Sequence, residues 1–223
     1  MKREPNAISL LYPISAFSIF FLSYALIIPF FKNRLPLDQE IASLTLFAVI
    51  FLTFVLFTYR VLPWRDPIIS FIKGVLSYFL IWPFIFLWAF GVEWILKNYF
   101  DIVPRDQDAV QILKMKGGSY TLILFICLIV PIIEETLFRG YLQQGLKSFI
   151  PEKLAIITTA LIFALFHFSP QQSGSNITIV TSLFWLACFM GYMVERTGSL
   201  WTSIGLHATF NTVSSFFILK GTA

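Results

Sequence analysis

The 223 residues are 57% hydrophobic and only 13% charged, with 26 Phe and a mean hydropathy of +0.79, whereas a soluble domain of ordinary composition carries about 25% charged residues. Disorder, a disulfide scaffold and nucleic-acid binding are excluded, because each requires charge, cysteine or a basic face that this chain lacks. The net charge of +4 is too small to name a partner.

In chain order, apolar runs long enough to be membrane helices fall at 8–31, 41–62, 67–96, 119–146, 153–168, 176–194 and 200–219. The first follows Lys2 and Arg3 as a signal peptide would. It is longer than a secretory core and leads into Lys32-Asn33-Arg34 with no small-residue cleavage site, so it reads as a retained anchor. Most joints are brief and leave no room for a soluble domain. The polar stretch 97–118, ending in Gly117-Gly118, reads as a loop. Strand alternation never persists, and no internal repeat is visible. The expected fold is all-α, a polytopic transmembrane helical bundle of about seven spans. Residues 1–118 form a three-span segment plus polar loop, residues 119–223 form a four-helix core, and the two make one integrated domain. The protein is expected to be an integral, multi-pass protein of the plasma (inner) membrane. Lys and Arg divide almost evenly between the two sides, so orientation stays open. Cys127 and Cys188 lie in apolar stretches and read as small buried hydrophobes.

A charge inside a membrane helix costs at least about 2.5–3.5 kcal/mol, which makes intramembrane ionisable residues candidates for function. The fourth run places Glu134, Glu135 and Arg139 after a dozen apolar residues. Residues four apart share a helix face, so Arg139 lies under Glu135 and Glu134 faces another direction. Glu135 is then the supporting, ion-paired carboxylate and Glu134 the general-base candidate. Pro131, one turn earlier, should kink the helix and free backbone groups near the site. Both histidines of the chain fall in apolar runs, His167 in Phe163-Ala-Leu-Phe-His167 and His207 in His207-Ala-Thr-Phe-Asn211. His207 and Asn211 project from one face as a donor pair. A carboxylate, an imidazole and a His/Asn donor pair on three helices fit amide hydrolysis by activated water, with neutral donors for the oxyanion. No G-x-S-x-G elbow supports a serine nucleophile. Zinc held by Glu134, His167 and His207 is the alternative. It lacks an H-E-x-x-H helix, and Asn211 is a poor zinc ligand, so a reaction without cofactor is favoured.

Glu134-Glu135-x-x-x-Arg139, Phe163-x-x-x-His167 and His207-x-x-x-Asn211, in that order, resemble the intramembrane proteases grouped as CAAX prenyl endopeptidases and bacteriocin-processing enzymes, lysostaphin resistance protein A-like proteins among them. The stretch Gly191-Tyr-Met-Val-Glu-Arg-Thr-Gly-Ser-Leu-Trp201 is also similar to the link into that family's last motif helix. The resemblance covers about residues 131–215. It implies an endopeptidase with its polar cavity inside the bilayer, acting on a membrane-associated protein or peptide, lipidated substrates included, and on no nucleic acid. By analogy Glu134 and His167 activate water, His207 and Asn211 stabilise the oxyanion, and Glu135 and Arg139 shape the site. A non-catalytic membrane scaffold of the same fold, and a small proton-coupled carrier using Glu134 as relay, are the competing functions. Paired broken helices of the kind seen in carriers are not apparent.

Overall fold

The computed structural model describes residues 11–22, 48–49, 51–53, 55–56, 62–102 and 120–220. Among these the protein is helical, with no strand. Helix α1 is Leu11–Leu22 and α2 is Pro67–Phe100. A long helix over 120–146, α3, is built of alternating α and π segments. Helix α4 is Glu152–Leu165, α5 is Ser175–Thr197 and α6 is Leu200–Lys220. The expected run 41–62 lies mostly outside the described residues, as does most of the polar stretch 97–118.

Helix α2 runs four residues past the expected end at Lys97's predecessor, so Lys97–Phe100 are helical rather than loop. It stops where Asp101 turns left-handed (φ 54°) and sends its N–H back to Leu96 O. Pro67 opens this helix, where a missing N–H costs nothing. The outer surface of α2 is apolar: Ile68, Leu76, Leu80, Leu87 and Phe90 are exposed, and only 17% of its most apolar stretch is buried. The interior, by contrast, holds Glu135, Arg139 and Gln143 with no exposure at all. Apolar outside and charged inside is the arrangement that hydrocarbon as solvent demands.

Among the described residues two helices, α2 and α5, are long and apolar enough to cross a membrane. The expected seven spans are not confirmed by these two, and the runs 8–31 and 41–62 lie partly or mostly outside the described residues. Helix α4 has 14 residues, about 21 Å at 1.5 Å per residue, against about 30 Å of hydrocarbon. The 21 residues of α6 suffice in length, but Thr, Ser, His207 and Asn211 dilute their hydropathy. In α3 the charges are those of the candidate site.

Helices α2 and α6 approach closely because glycine faces each backbone. A Cβ on Gly74 would lie 2.1 Å from Thr202 O, and one on Gly205 would lie 2.4 Å from Phe71 O; such small-residue contacts are a common way of packing helices in lipid. We expect Gly205→Ala to lower stability by about 1–3 kcal/mol. Gly91→Ala, where nothing lies within 4 Å, should leave stability level or slightly raised, with thermal unfolding in detergent as the measurement. Between α5 and α6 the chain turns at Gly198 (φ 66°), whose N–H bonds to Val194 O. Leu200 N–H then donates to Pro63 O and Ser199 Oγ to Arg65 O, which seats the start of α6 on the segment leading into α2. Trp64 and Trp201 pack on each other at 5.5 Å between ring centroids.

Candidate active site

The site forms where α3 meets α4, α5 and α6. Glu134 and Glu135 end an α-helical segment, Val130–Glu135, that lies between two π segments, Phe125–Ile129 and Thr136–Gln143. A π turn inside an α-helix often marks a functional site, since it displaces side chains from their α register. Sequence reasoning anticipated a break at Pro131 but not these two segments.

Arg139 Nη1 donates to Glu135 Oε1 at 2.9 Å, and both side chains are fully buried. The expected four-residue pairing therefore holds. Arg139 Nη2 reaches Ala187 O of α5 at 3.4 Å, and its guanidinium carbon sits 4.4 Å from the centroid of the Phe163 ring. A cation buried in this way is stabilised by the carboxylate, the carbonyl and the ring face together.

His207 Nδ1 lies 2.8 Å from the same Glu135 Oε1. A carboxylate oxygen accepts, so Nδ1 carries the hydrogen and Nε2 faces the other way. There it meets Glu134 Oε2 at 3.8 Å, beyond hydrogen-bond reach. Oε2 of Glu134 is buried and has no hydrogen-bond partner among the described residues. The two adjacent glutamates, expected to face apart, thus approach one imidazole from its two nitrogens.

His167 lies just past the end of α4, where its N–H bonds to Ala164 O in a tightened last turn. Its Nδ1 is 2.9 Å from Phe163 O; the carbonyl can only accept, which leaves Nε2 as the nitrogen with a free lone pair. Phe163 links the group. Its ring centroid is 4.7 Å from that of His167 and 6.0 Å from that of His207. Asn211 shares the His207 face of α6, but its Nδ2 donates to Ile126 O at 2.9 Å, so one of its two amide hydrogens is already in use. Among the described residues no three His, Cys, Asp or Glu side chains converge as a metal-binding group.

Two residues of this region escaped the sequence reading. Gln143 is fully buried and donates from Nε2 to Gly191 O at 3.2 Å and to Glu195 Oε1 at 2.8 Å. Glu195 also accepts from Gln144 Nε2 at 2.9 Å and from Lys147 Nζ. The available signal was the continuation of the four-residue spacing, Glu135, Arg139, Gln143, Lys147, along one side of α3.

A family model described as type II CAAX prenyl endopeptidase Rce1-like matches residues 116–213. The uncharacterized protein YpbD of Bacillus subtilis (strain 168) is 32% identical over 91 residues, which is 41% of this chain and 42% of YpbD, so the match spans less than half of that relative. No solved structure matches the chain. All six candidate site residues, from Glu134 to Asn211, lie inside the matched stretch. Over residues 116–213, then, this chain is similar to the type II CAAX prenyl endopeptidase Rce1-like family, and that stretch carries the whole candidate site.

Proposed function

We propose that the protein is an intramembrane endopeptidase that hydrolyses a peptide bond of a membrane-associated, lipidated protein or peptide. The observation that carries this reading is the buried Glu134 Oε2, which makes no hydrogen bond among the described residues and stands 3.8 Å from the imidazole of His207. Glu134 takes a proton from water as the resulting hydroxide attacks the scissile carbonyl, and it returns that proton to the amide nitrogen as the C–N bond breaks and the amine leaves. The lone pair of His167 Nε2 holds the same water. The carbonyl oxygen becomes the oxyanion and receives the uncommitted N–H of Asn211, together with Nε2–H of His207 when that ring carries its second proton. Glu135 and Arg139 touch no reacting atom: they fix the tautomer and the direction of His207. The base in this scheme is a carboxylate alone, with no metal in the reaction. Support for placing the chemistry in a multi-pass membrane protein comes from the apolar outer face of α2 and the two helices of spanning length. A dry site strengthens each electrostatic contact to the transition state.

The test compares membrane proteomes of cells carrying the intact chain with those of cells carrying His167→Ala. The expected result is that C-terminally trimmed membrane proteins disappear and their longer precursors accumulate. Identical proteomes, with the variant folded and present at the same level, would overturn the reading and favour a scaffold.

A further inference from the structure

We propose that Pro131 is a positioning residue for Asn211: it strips the Ile126 carbonyl of its helical donor, and that carbonyl then anchors the Asn211 carboxamide. Val130 N–H bonds back five residues to Phe125 O, in the π register of Phe125–Ile129. In the same register the donor for Ile126 O would be residue 131, which is proline and has no N–H. The acceptor is taken up instead by Asn211 Nδ2 at 2.9 Å, from a residue 85 positions away. A second contact one turn along α6, Cys127 Sγ to Ser215 Oγ at 3.9 Å, keeps the two helices in this register. A carboxamide is planar, so fixing one N–H on a rigid carbonyl fixes the direction of the other. The consequence for the oxyanion rests on the function proposed above, whereas the carbonyl bond stands on the geometry alone.

The experiment uses the full chain purified in detergent, as the intact protein, Pro131→Ala, Asn211→Ala and the double variant. Asn211→Ala should lower the unfolding midpoint by about 2–10 °C. In the Pro131→Ala background the same substitution should cost less than half as much, because residue 131 now supplies an N–H to Ile126 O. Asparagine-selective ¹⁵N labelling gives a readout that general destabilisation does not move. One hydrogen of the Asn211 amide pair should exchange slowly in the intact protein, and the pair should become more alike in Pro131→Ala. An equal midpoint loss in both backgrounds overturns the proposal. So does an Asn211 amide whose two hydrogens exchange equally fast in the intact protein, a result that stands even if Asn211→Ala does not fold. Absence of peptidase activity from every form would sink the functional reading while leaving this coupling measurable.

Discussion

Glu134→Gln is expected to lower hydrolysis by about 10²–10⁴-fold, the range a positioned general base supplies, while the unfolding midpoint in detergent stays near that of the intact protein. The amide is nearly the same size as the carboxylate. Oε2 has no hydrogen bond among the described residues to forfeit, and the 3.8 Å approach to His207 Nε2 is too long to be a strong contact. Loss of the base is thereby separated from loss of the fold. Turnover of a membrane-anchored reporter by purified Glu134→Gln at near the intact rate would remove Glu134 from the reaction.

The second large effect is structural. Arg139→Leu should destabilise the protein by about 3–5 kcal/mol, because it takes the guanidinium away from the fully buried Glu135 carboxylate. The same change removes the contact to Ala187 O and the cation over Phe163. A drop of about 6–20 °C in the thermal midpoint is expected for a chain of this size. Replacing Glu135 and Arg139 together by leucine should recover much of that loss, since a buried ion pair exchanged for apolar packing is often neutral or stabilising. Such a double variant should remain inactive, with Nδ1 of His207 no longer held. Arg139→Leu unfolding at the same temperature as the intact protein would show that the pair contributes nothing to stability.

The sequence by itself determined what lies within one helical turn. Apolar runs located α2, α5 and α6 to within a few residues, and the four-residue spacing of Glu135 and Arg139 produced the bond found between them. Both follow from local geometry, which needs no knowledge of neighbours. Tertiary packing decided the rest. Glycines 74 and 205 let α6 press onto α2, and the seating of α6 against α3 brings His207 between two glutamates and sends Asn211 Nδ2 to Ile126 O. The π segments on either side of Glu134 and Glu135 were not visible in the spacing. The four-residue step to Gln143 was visible, but its partner Glu195 belongs to α5. No spacing rule along one chain says which face of another helix it will meet.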